Sequence, residues 1–156
     1  MSLAREQLAR FIEDEGHRVE VSVSADDDSF ATLLFRTRGC IVSLAVREEE
    51  PPRFTLAAAF EIPSWARERA YNATILQDAA SDTNGVRLAL ASNGTNFVAT
   101  LERSGETIEA FQRDFWPSVA CVREAGVAAL EQILDRSESR AAADKFIKSL
   151  QSRERG

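Results

Sequence analysis

The sequence predicts an α+β domain: an antiparallel sheet with an N-terminal helix, a short middle helix and a long C-terminal helix. Three observations predict it. Apolar residues recur at steps of three and four at both ends of the chain, and they alternate with period two through most of the middle. Tight-turn dipeptides separate the alternating runs, as between antiparallel strands. No regular alternation of strand and helix suggests a parallel nucleotide-binding sheet.

The first helix carries Ala4, Leu8, Phe11 and Ile12 on one side, with Ser2 as its cap and Gly16 as a left-handed stop. Val19, Val21 and Val23 then alternate with polar residues, which describes a half-solvated strand. Asp26-Asp27-Asp28-Ser29 reads as a turn. Strands over 30–37 and 40–46 follow, split by Arg38-Gly39, and the second is apolar on both faces, which places it centrally. Glu48-Glu49-Glu50-Pro51-Pro52 is a loop, because prolines cannot serve a ladder.

Residues 53–62 form the clearest strand, with Phe54, Leu56, Ala58, Phe60 and Ile62 on one face and Thr55, Ala57 and Ala59 on the other. Pro63-Ser64 opens a short helix over 65–72. Residues 73–79 suit either a strand or a continued helix, and Thr74 and Ile75 favour the strand. Asn84-Gly85 and Asn93-Gly94 bracket a strand over 86–91, and another follows over 96–102. Thr107 caps a helix whose stripe runs Ile108, Phe111, Phe115, Val119, Val122, Gly126, Leu130 and Ile133, with a kink or break expected at Pro117. Residues 1–136 make a single domain. Residues 137–156 read as a basic tail, partly helical or disordered, with a weak helix over 141–150 and little part in folding.

Composition excludes several classes of function. The apolar fraction of 44% and charged fraction of 28% are those of a globular chain, not a disordered one. No stretch approaches the roughly 20 apolar residues that span a bilayer, and the first residues lack a signal-peptide run, so a cytoplasmic protein with no membrane partner is expected. Of the net charge of −6, residues 136–156 carry +3 and the rest −9, a body that repels phosphate backbones and argues against nucleic acid. Arginine outnumbers lysine seventeen to two, which reads as codon bias in a GC-rich bacterium. Cys40 and Cys121 form no Cys-x-x-Cys pair and read as two buried, reduced thiols.

No catalytic constellation emerges. His17, the one histidine, sits between a helix stop and a strand, with no nucleophile elbow in the chain; a packed or solvated boundary residue is the better reading. One His and two distant Cys cannot supply a structural zinc site. The Asp26–Asp28 run lacks the spacing of a calcium loop. Neither a cofactor nor a metal is expected, and the chain is read as a non-enzyme. What remains are bulky aromatics near two helix boundaries: Trp65 and Tyr71 on the middle helix, Phe115 and Trp116 at the proline. Each reads first as core and second as a partner-binding residue, because large aromatics are enriched at protein interfaces.

The order of elements resembles the type III secretion chaperone-like fold, and within it the YbjN-like family of bacterial sensory transduction regulators. The similar segments are Trp65 to Ile75 (WARERAYNATI), where a short helix ending in asparagine runs into a strand, and Gly105-Glu106-Thr107-Ile108-Glu109 before the final helix. The resemblance spans about residues 3–134. It implies a non-enzymatic, chaperone-like or regulatory protein-binding module, often dimeric, and no catalytic residue. The expected partner is a protein or peptide, and a homodimer is expected. The alternative from another class is a small-molecule binder, with the last helix closing a curved sheet over a cavity lined by Thr55, Ala57 and Ala59.

Overall fold

A computed structural model of the chain describes residues 3–23, 30–37, 40–47, 51–80 and 85–154. Its elements in order are α1 (Leu3–Asp14), β1 (Glu20–Val23), β2 (Phe30–Thr37), β3 (Cys40–Arg47), β4 (Arg53–Glu61), a 3-10 turn (Ser64–Ala66), α2 (Arg69–Ala80), β5 (Arg87–Leu90), β6 (Asn96–Ser104), α3 (Ile108–Arg113) and α4 (Phe115–Glu154). The six strands form one antiparallel sheet in the order β1-β2-β3-β4-β6-β5. The first four strands are a meander. The chain then crosses through α2 to the far edge and returns as β6 between β5 and β4.

Period two decides which face of the sheet is buried. Leu33, Phe35, Val42, Leu44, Phe54, Leu56, Phe60, Phe97 and Leu101 point to one side and form the core with α1, α3 and α4. From the helices come Leu8, Ile12, Phe111, Phe115, Val119, Val122 and Ile133, the stripes expected from the sequence. Gly16 takes φ 91°, which a glycine tolerates without steric cost, and ends α1 as expected. The threonine cap also forms: Thr107 Oγ1 accepts the Ala110 N–H at 3.1 Å.

Pro117 is accommodated by a break rather than a kink. Helix α3 ends at Arg113, Asp114 interrupts, and α4 starts at Phe115, so Pro117 falls in a first turn where no intrahelical acceptor awaits its missing N–H. Two expectations change in the middle of the chain. The helix over 65–72 is a 3-10 turn followed by α2, and residues 73–80 are helical rather than a strand, with Asn72 inside α2 and not at its end. Asn72, Ile75, Leu76 and Ala79 are buried at helical spacing, which fixes the choice. The apolar outer face of β3 is not covered either, for Ile41 is half exposed although β3 lies centrally. Cys40 and Cys121 are free thiols, half-buried rather than fully buried. Ser2, the 26–29 turn, Arg38-Gly39, Glu48–Glu50 and Asn84 lie outside the described residues.

Helix α4 runs 40 residues, about 60 Å at 1.5 Å per residue. Its first half packs on β4, β6 and α2; beyond Asp135 its described side chains are exposed apart from the half-buried Ser137. This extension is attached by an ion pair of Arg140 with Glu68 and by the stacking of Arg140 over Tyr71 at 5.4 Å. Its hydrogen bond to Glu68, then Coulomb attraction, raises the Arg140 pKa above the ordinary value. Both partners are about half exposed, so the anchor is shallow. Deleting residues 137–156 is therefore expected to move the urea midpoint only slightly. A large loss of stability on truncation would contradict this.

Candidate functional site

Among the described residues no group of three or more His, Cys, Asp or Glu could hold a metal, and no helix is long and apolar enough to cross a membrane. The aromatics singled out above fall at two ends of the domain. Tyr71 lies beside Arg140, whereas Phe115 is 25 residues earlier on α4, about 37 Å along the helix.

At the α1–α3 end the aromatics pack on one another. Phe115 is fully buried, with Phe11, Phe35 and Phe111 around it at ring-centroid distances of 5.6, 5.8 and 5.7 Å. Phe54 stacks on Phe111 at 4.1 Å. Phe115 is thus part of the core in this structure. Trp116 is half-buried, 5.0 Å from the His17 ring and stacked on Phe11 at 6.4 Å. His17 Nδ1 donates to the Arg36 carbonyl at 2.9 Å, so the lone histidine is a packed boundary residue. A fork closes this end, where Arg103 on β6 reaches Glu106 at 2.6 Å and Asp114 at 3.4 Å across the start of α3 and the α3–α4 break. Hydrogen bonding to Glu106 leads the causes that raise the Arg103 pKa.

At the other end Trp65 is 60% exposed on the 3-10 turn, while Tyr71 is half-buried under Arg140. The connection from β4 is held by backbone acceptors: Asn72 Nδ2 donates to Ala66 O at 2.6 Å, and Arg67 Nε to Ile62 O at 2.7 Å. These bonds set where α2 begins, and α2 in turn forms one wall of an open cleft of about 730 Å³ beside β5. Ala73, Leu76 and Gln77 line the helix side, and residues 85–90 line the strand side. Sequence reasoning missed this cleft because it depends on residues 73–80 being helical.

Strand β5 is an edge of the sheet among the described residues. Its ladder phase follows from one bond: Ala91 N–H donates to Asn96 O at 2.9 Å. Antiparallel pairs alternate, so Ala89 and Arg87 also bond towards β6, and the N–H and C=O of Leu88 and Leu90 point outward. Their side chains are half-buried on the helix side, along the cleft. Outward backbone groups and apolar side chains thus line one edge.

The second open surface is the face of the sheet turned away from the helices. Thr55, Ala57 and Ala59 stand on it, half-buried or exposed, while Phe54, Leu56, Ala58 and Phe60 point to the helix side. They stand on the side away from α4, which corrects the lining expected for the small-molecule alternative: β4 turns its large residues to the helix and its small ones outward.

No protein-family profile and no curated protein matches the sequence. Solved structures do resemble it. An uncharacterised protein from Methanothermobacter thermautotrophicus superposes with a TM-score of 0.62 at 13% identity, covering 86% of this chain and 99% of the other. YbjN of E. coli, put forward as a transcription regulator, superposes with a TM-score of 0.53 at 15% identity, covering 85% and 93%. The fold is YbjN-like: an antiparallel six-stranded sheet with an N-terminal helix and a long C-terminal helix.

Proposed function

We propose that this chain is a non-enzymatic protein-binding module of regulatory or chaperone-like type, which takes up an extended peptide along β5. The observation that carries the reading is the coincidence, on one edge strand, of outward Leu88 and Leu90 backbone groups with an apolar cleft between β5 and α2. An added strand would continue the sheet past β5, and its alternate side chains would enter the cleft beside Leu76, Leu88 and Leu90. Main-chain bonds would supply affinity and the cleft would supply preference for apolar residues at every second position.

The name of the YbjN neighbour fits a regulatory role. The charge of this chain favours regulation through a protein over direct contact with DNA, because the body outside the basic tail is strongly acidic. Trp65, exposed on the 3-10 turn, is a secondary contact candidate. The test is selection of binders from a displayed library of extended peptides, followed by amide exchange with and without the best binder. Slowed exchange at Leu88 and Leu90 supports the reading. Protection elsewhere, or no binder with alternating apolar residues, rejects it.

A further inference from the structure

Strand β5 carries one charged side chain, Arg87. Leu88 and Leu90 lie on the helix side, so period two turns Arg87 and Ala89 to the open face of the sheet. Arg87 is exposed and borders the cleft. Its cross-strand neighbour on β6 is Thr100, which offers no charge. Glu102 stands two residues further along that face of β6, but Arg53 engages it at 3.3 Å. Arg87 has no ion-pair partner among the described residues. On its other flank lies the edge, where an added strand would set a residue of its own.

We propose that Arg87 selects the peptide: an extended segment, antiparallel to β5, that reads apolar–any–apolar–acidic from its N-terminus, with the carboxylate beside the guanidinium. This rests on the reading of β5 as a peptide-binding edge and adds the charge, direction and register of the partner. Direction follows from the sheet, whose neighbouring strands all pair antiparallel. Register follows from the ladder phase. The backbone groups of Leu88 and Leu90 point outward, so the peptide residues opposite them are the hydrogen-bonded ones and share their side of the sheet. The residue opposite Leu90 comes first and that opposite Leu88 two positions later, and both enter the cleft beside Leu76. The next residue falls opposite Arg87 in a non-hydrogen-bonded pair, where Cα atoms approach to ~4.5 Å and side chains lie closest. A carboxylate there gains an opposite charge, and a lysine meets a like one. The residue between the two apolar ones faces small, exposed Ala89 and is little discriminated. The acidic body repels a peptide that is acidic throughout, so the fit is one carboxylate at one position.

The experiment is fluorescence anisotropy of the full chain with labelled synthetic peptides carrying Val-Thr-Val-X between serines, X being Glu, Gln or Lys. Thermal melts accompany each protein variant. The wild type should bind the Glu peptide about threefold more tightly than the Gln peptide, the scale of an opposite-charge cross-strand pair, and the Lys peptide most weakly. This order should flatten at about 1 M salt, where charges are screened within about 3 Å. Arg87→Glu should reverse it, and Arg87→Gln should bind all three peptides alike, both with unchanged melts. A reversed series, X-Val-Thr-Val, sets X beside Ala91, where its charge should make no difference. Equal binding of the three peptides by the wild type overturns the proposal and leaves the peptide-binding reading standing. A preference for Glu that persists in Arg87→Gln, or one that appears only in the reversed series, also overturns it. No binding of any peptide rejects both.

Discussion

Replacing Asn72 by aspartate is expected to destabilise the fold by about 3–5 kcal/mol, the usual cost of leaving a charge buried without a partner. Asn72 is fully buried in α2, and its Nδ2 donates to the Ala66 carbonyl at 2.6 Å. A carboxylate has no proton to offer there, so it would set one acceptor against another. Its remaining oxygen would fare no better, because Asn72 Oδ1 already lacks a donor among the described residues. Alanine should cost less, about 1–3 kcal/mol, because it strands only the Ala66 carbonyl. Urea unfolding of both variants checks the order. A near-neutral aspartate variant would show that the Asn72–Ala66 bond does not hold the turn to α2. Because that bond sets the start of α2, a folded Asn72→Ala protein should also bind peptide at the β5 cleft less tightly.

Adding one methyl group at Gly126 is expected to cost a net ~2 kcal/mol, against the sign that helix propensity alone predicts. In an exposed helix, Gly→Ala is favourable by up to about 1 kcal/mol. Here the added Cβ would stand 2.0 Å from Phe60 Cε2 and 2.2 Å from Cζ. The Phe60 ring cannot easily retreat, since it is 93% buried and stacks on Phe97 at 5.2 Å. Overpacking of this kind costs about 1–3 kcal/mol, and a contact this short belongs at the upper end. Combining Gly126→Ala with Phe60→Leu should return part of the loss, read as a coupling energy in a double-mutant cycle. A stabilised Gly126→Ala protein would mean that α4 does not sit this close to β4.

Those two residues also mark where reading the sequence stops. Strands β2, β3 and β6 were legible as short runs bounded by turn residues. Strand β4 was legible because its period-two run lies in a sheet that the described helices cover on one face, so burial writes itself directly into the alternation. The α1 stripe and the long α3–α4 stripe were legible for the same reason at helical period. Turns were readable where chemistry demands them: Gly94 takes φ 72°, and Asn93 Oδ1 accepts from Thr95 N at 3.0 Å beside it. Helix α2 was not. Its buried stripe is Asn72, Ile75, Leu76 and Ala79, and a polar residue at the first position hides the period. Only the Ala66 carbonyl, supplied by a neighbouring turn, makes asparagine acceptable there.

The sequence by itself determined which residues alternate, where the chain must turn, and that no familiar catalytic or metal-binding pattern is present. Tertiary structure decided which face of β4 the last helix covers. Thr55, Ala57 and Ala59 could equally have lined a cavity, and period two cannot say which face receives a layer. The choice follows from bulk: Phe54, Leu56 and Phe60 gain far more by leaving water than three small residues do, at roughly 25 cal/mol per Å² of apolar surface. Gly126 then lets α4 settle onto Phe60. The small residues are left outward. The face they share joins residues far apart in the chain, so it exists only once the strand order β1-β2-β3-β4-β6-β5 is formed.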